Sequence, residues 1–262
     1  MAYKSDFFSI FVHIPIMSFE LITAIILIIL GTAIFIRWID RRTRPTLYLS
    51  LALFSITIAV FIVFTGLFSW FLTWIISGMG AVYSPDLYVF SLPLGYSFVV
   101  GYDIFLLLFT IHIFSDKNEK KVIPVAIIGA ILIILLFLPT NYWGTNESLG
   151  DPVSIRTLTL GLFLVYNMVI YIILTNYAFR EAKHADKKVT RRAFQAIGIG
   201  QILNILIFIM FLGDAILLLL DPSSPGYSIF VYFAWTFALV ATFLFYLGYI
   251  LPNWFKKIIE KE

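Results

Sequence analysis

The chain has 262 residues, 61% of them hydrophobic and 13% charged, and its mean hydropathy is +0.98. That is more apolar surface than a soluble domain of this length hides, so the composition assigns the chain to a bilayer. The lack of cysteine excludes disulfides, thiolate metal sites and cysteine nucleophiles, and the net charge of +3 conceals a strong asymmetry along the chain.

A helix needs about 20 residues at ~1.5 Å each to cross a hydrocarbon core. Seven apolar stretches suggest spans: 17–38, 46–68, 91–114, 122–139, 154–179, 193–220 and 227–251. The first has no basic leader or small-residue cleavage site and is followed by Arg37, so it reads as a retained anchor. Pro45 opens the second, which continues through 69–80 as either a longer helix or a re-entrant segment. Ser91 and Pro93 read as the cap and first turn of the third. Pro124 and Pro139 bracket the fourth, the shortest. Ser154 caps the fifth, and Asp221-Pro222 and Pro252 close the last two.

All Lys and Arg except Lys4 and Arg156 follow odd-numbered spans: Arg37, Arg41, Arg42 and Arg44; Lys117, Lys120 and Lys121; six between Arg180 and Arg192; and Lys256, Lys257 and Lys261. Basic residues concentrate on the cytoplasmic side, which puts the N-terminus outside and the C-terminus in the cytoplasm. The expected architecture is all-α: a polytopic, multi-pass protein of the cell membrane, one seven-transmembrane helix bundle over residues 1–262 with no soluble domain attached. Asn146, in the triplet Asn-Glu-Ser, matches the glycosylation sequon and is expected in an outer loop, where it would serve as an acceptor. No internal repeat is visible, which weakens the transporter architectures built on duplicated halves.

Asp103 interrupts the third span near its middle, eleven residues from its cytoplasmic end. His112 is no partner, because nine residues of helix add ~13.5 Å of rise and about half a turn. Asn167, Asn204 and Thr57 lie at the same depth, ~17 Å from the cytoplasmic boundary. Helical spacing adds neighbours. Gln195, Gly198, Gln201 and Asn204 form a stripe on the sixth span; Tyr96, Asp103 and Thr110 recur on the third; Asn167 and Tyr171 are one turn apart on the fifth; Trp235, Thr242, Tyr246 and Tyr249 share a face of the seventh. The expected ligand-binding layer comprises Asp103, Asn167, Asn204, Gln201, Thr57, Tyr96, Tyr171, Trp235 and Thr242. With no Lys or Arg inside a span, Asp103 either holds its proton or recruits a cation or an amine. The plainer alternative is structural glue, an acid bonded to Asn167 or Asn204 and contributing about 0.6 kcal/mol. Glu20, Asp86, Asp214 and Asp221 read as solvated residues near the outer boundary, able to form a negative vestibule.

No enzyme activity, metal site, cofactor or nucleic-acid partner is expected. His13, His112 and His184 are too far apart to form a metal cluster, residues 227–251 contain no Schiff-base lysine, and no nucleophile motif or phosphate-cradling loop occurs.

"RRAFQAIGIGQILNILIF" and "FYLGYILPNWFKK" resemble the seven-helix N-terminal sensor region of some prokaryotic histidine kinases. The resemblance implies a bundle that senses and passes its signal inward. This sequence shows neither a phosphorylatable histidine region nor an ATP-binding lid, so output is expected to pass to a separate protein. Three functions follow as expectations. The first is a receptor-like sensor whose polar layer binds a small molecule or cation and which signals to a cytoplasmic partner through residues 180–192 or the C-terminal segment. The second is a small transporter or channel using Asp103, and the third a non-catalytic scaffold. The basic stretch at 180–192 reads first as a topology determinant, with membrane lipid headgroups as a further partner.

Overall fold

The structure, a computed structural model, describes residues 4–5, 13–78, 82–83, 86–114, 119–138, 155–220 and 228–261. Within them the helices are α1 (His13–Arg41), α2 (Arg44–Ile76), α3 (Asp86–Phe114), α4 (Ile123–Leu136), α5 (Ile155–His184), α6 (Lys188–Leu220), α7 (Ile229–Phe245) and α8 (Asn253–Lys261). A two-residue antiparallel pair joins β1 (Lys4–Ser5) to β2 (Val82–Tyr83). Asn146, Ser154, Pro139, Asp221 and Pro222 lie outside the described residues.

Six helices (α1, α2, α3, α5, α6 and α7) are long and apolar enough to cross a membrane. The chain is therefore a helical, multi-pass membrane protein. The fourth expected span is shorter than the others: α4 has 14 residues, ~21 Å against the ~30 Å of a hydrocarbon core. It has an exposed apolar side all the same. Ile127, Ile131 and Ile134 are exposed, whereas Gly129, Leu132 and Leu136 are buried.

The helix ends follow the punctuation only in part. Pro45 and Pro124 occupy first turns, where a missing N–H costs nothing. Residues 69–76 continue α2 without a break over 33 residues, so this segment is a longer helix and not a re-entrant one. Pro93 does not begin α3; the helix starts at Asp86 and contains it. Membrane helices tolerate such a proline; the carbonyl it leaves without a helical donor is that of Val89, and the flanking hydroxyls bond elsewhere, Ser91 to Tyr88 O at 2.8 Å and Ser97 to Pro93 O at 2.8 Å. At its far end α7 widens into a π-turn over Tyr246–Ile250, which stops at Leu251 in the left-handed region (φ 51°). Pro252 follows and cannot continue the ladder.

Consecutive helices pack side by side, α1 closes the ring against α7, and α3 also touches α5 across the bundle. Close approach depends on missing side chains. A Cβ on Gly129 of α4 would lie 2.7 Å from Val100 Cγ1 and 2.9 Å from the Tyr166 hydroxyl, and one on Gly248 would collide with Ile197 of α6. Buried residues form a large mid-bundle cluster from Ala24 to Phe245 and a smaller one of Ile16, Met17, Leu67, Trp70, Trp74, Tyr88 and Val231. The polar groups considered next sit in the larger cluster.

Candidate functional site

Asp103 is completely buried on α3, and neither of its carboxyl oxygens closes a hydrogen bond. The phenols of Tyr102, Tyr166 and Tyr171 all lie within electrostatic range of the carboxyl. The Tyr171 hydroxyl is turned toward Asp103, but its bond goes to Asn167 Oδ1 at 3.3 Å. Asn167 in turn donates from Nδ2 to Phe163 O at 2.6 Å. On α6, Asn204 Nδ2 donates to Gln201 Oε1 at 3.2 Å, and this amide pair faces Tyr102. The helices converge here because a stripe of amides and phenols on each finds partners only by turning inward.

The cluster is rich in oxygen: the carboxyl of Asp103, the amide carbonyls of Asn167, Gln201 and Asn204, and the phenols of Tyr102, Tyr166 and Tyr171. Such a set suits a hard cation or an ammonium group rather than a soft metal. A buried acceptor without a partner costs about 1–3 kcal/mol. Asp103 is therefore a liability to the fold in the form described, and a ligand able to donate to it or carry positive charge would offset that cost.

Of the nine residues expected in the layer, the structure gathers Asp103, Asn167, Tyr171, Gln201 and Asn204. The other four have separate engagements. Thr57 is buried but donates to Leu53 O at 2.6 Å, and Thr242 to Ala238 O at 2.8 Å, each on its own helix. Tyr96 stacks on Phe163 with ring centroids 4.7 Å apart. Trp235 packs between the two apolar clusters. Tyr102 and Tyr166 were not expected. The available signal was their position beside Asp103 and Asn167, since a tyrosine at mid-span must find a partner for its hydroxyl.

Two acids read as solvated prove otherwise. Glu20 is 1% exposed and its Oε2 has no hydrogen-bond partner, because α1 begins at His13 and places Glu20 two turns inside the helix. Asp214 is buried because Oδ1 accepts from the backbone N of Ser228 at 2.8 Å. Ser228 itself caps α7 by accepting from Phe230 N.

At the basic end, α1 continues through Arg41, so Arg37 lies within the helix. Its guanidinium forks onto the last carbonyls of the π-turn, Nη1 donating to Tyr249 O at 3.2 Å and Nη2 to Ile250 O at 3.1 Å. The Tyr249 ring meets Phe109 edge-on at 5.7 Å and stacks on Phe245 at 5.8 Å, and it packs against the same apolar cluster that holds Tyr102, within electrostatic range of that phenol. The packed core thus links the Asp103 cluster to the junction with α8. His112 keeps to this end, its ring 5.2 Å from that of Tyr48.

No family model, curated protein or solved structure matches the chain.

Proposed function

We propose that the protein is a receptor-like sensor of the cell membrane whose interior cluster takes a small cation or amine at Asp103. In this reading the chain crosses seven times, with α4 completing its crossing through flanking residues, the N-terminus outside and the C-terminus in the cytoplasm. The observation that carries the reading is the fully buried carboxyl of Asp103 with both oxygens unbonded. Output would follow the packed core from Tyr102 through Tyr249 to the Arg37 fork, changing the angle at Leu251 and Pro252 and with it the presentation of α8. A ligand shifts such an equilibrium only by as much as it favours one state over the other. The resemblance of the sixth and seventh spans to kinase sensor regions agrees with this, and a cytoplasmic partner would read α8 or residues 180–192.

The test is a thermal-shift panel of alkali cations and small alkylamines on purified wild type and Asp103→Asn. At least one compound is expected to raise the wild-type Tm, since binding to the folded state stabilises it, and to leave the variant unmoved. A panel that moves neither protein, or moves both equally, contradicts the proposal.

Glu20 favours a second reading, in which the bundle transports a cation or proton. It is another buried acid with an unbonded oxygen, nearer than Asp103 to the opposite end, and unpaired acids at successive depths mark ion pathways. Flux of the bound cation through proteoliposomes that is lost in Glu20→Gln would establish transport; binding without flux leaves the sensor.

A further inference from the structure

The ends of α5 and α6 nearest the basic connection enclose an open cleft of about 360 Å³, lined by Phe179, Ala182, Lys183, Arg191 and Gln195. Helical spacing explains it. Phe179, Ala182 and Lys183 stand at i, i+3 and i+4 on one face of α5, and Arg191 and Gln195 at i and i+4 on the facing side of α6. The floor is apolar, because the Phe179 ring lies on the bare backbone of Gly198, within 2.9 Å of where a Cβ would stand. The rim is cationic. Lys183 and Arg191 are both exposed, and Arg191 is steadied by donating from Nη2 to Ala185 O at 3.3 Å.

We infer that this cleft binds the phosphate of an anionic phospholipid. Two features select a lipid over a soluble phosphate. The first is an apolar track leading away from the rim: Ile172 stands seven residues before Phe179 on α5, and Ile199 and Ile202 stand four and seven after Gln195 on α6, all three exposed. Those spacings keep them on the cleft-lining faces for ~10 Å, the start of an acyl chain's path. The second is α8, which packs on the same helix α6. It buries Ile259 and exposes Trp254 and Ile258, one turn apart, beside Lys256 and Lys257. An amphipathic helix with an exposed aromatic and flanking lysines lies at the boundary between headgroups and acyl chains, which sets the adjoining cleft at headgroup depth. This site is independent of the ligand at Asp103.

The test reconstitutes the full chain with equimolar phosphatidylglycerol and phosphatidylcholine and counts the lipids retained by native mass spectrometry. Wild type is expected to retain phosphatidylglycerol preferentially. The double variant Lys183→Gln/Arg191→Gln should lower that preference on the order of tenfold, given the usual attraction of a basic residue for an anionic surface. Lys187→Gln/Lys188→Gln, which removes equal charge from the neighbouring connection but touches no residue lining the cleft, should lower it clearly less. Equal losses in the two variants, or no loss in the first, overturn the site. Displacement of phosphatidylglycerol by millimolar inorganic phosphate overturns the lipid assignment in favour of a soluble anion.

Discussion

Asn167 and Asp103 sit in the same cluster but stand in opposite energetic positions. Asn167 is satisfied on both sides, donating to Phe163 O and accepting from Tyr171, so Asn167→Leu strands a buried phenol and should cost about 1–3 kcal/mol in unfolding free energy. Tyr166→Phe removes only a long bond of 3.4 Å to Val125 O and should cost less than about 1 kcal/mol; denaturation in detergent ranks the two. The polar members of this cluster were legible because an acid or amide in mid-span is conspicuous, and equal depth on different spans suggested that they meet. The phenols were less so, since tyrosine is at home both in apolar cores and at interfaces. Thr57 and Thr242 matched in depth but bond their own backbones, a choice open to any helical threonine.

The junction between α7 and α8 depends on contacts distant in sequence. The π-turn ends where Arg37, more than 200 residues earlier, holds two carbonyls, and it is seated where Gly248 meets Ile197. Bonds to a charged donor are worth about 1.5–3 kcal/mol. Arg37→Met should therefore speed amide exchange across residues 251–261 by roughly tenfold or more, and Arg37→Lys, which cannot fork, should recover only part of the protection. Unchanged exchange in Arg37→Met would remove the fork from the coupling path. Gly248→Ala should destabilise the α6–α7 contact by about 1–3 kcal/mol through overpacking, seen as a lower Tm. Neither feature has a local signature, so the helices could be located from apolar runs while this hinge could not. The same limit moved the ends: apolar runs show where lipid contact stops, yet α2 continues eight residues beyond its expected boundary and α3 begins five before Ser91.

For the whole molecule, the count of crossings rests on α4, whose 14 residues are apolar enough for lipid but short for a bilayer. Its packing against α3 and α5 makes it part of the bundle, and an odd number of crossings requires the termini on opposite sides. With no native cysteine, Ser5→Cys and Lys257→Cys each give a single reporter; an impermeant maleimide on intact cells should label the first and spare the second until lysis, and labelling of both would require an even count. The central claim is that the bundle keeps an acid in its interior at a cost to its own stability. The direct measurement is the unfolding free energy of Asp103→Leu, which retains the branching at Cγ, against wild type in ligand-free detergent. The variant should be as stable as wild type or up to about 3 kcal/mol more stable, because an unpartnered buried polar group is removed. A loss of about 1 kcal/mol or more would show that the carboxyl makes a bond the fold relies on, and the ligand site at Asp103 would be abandoned.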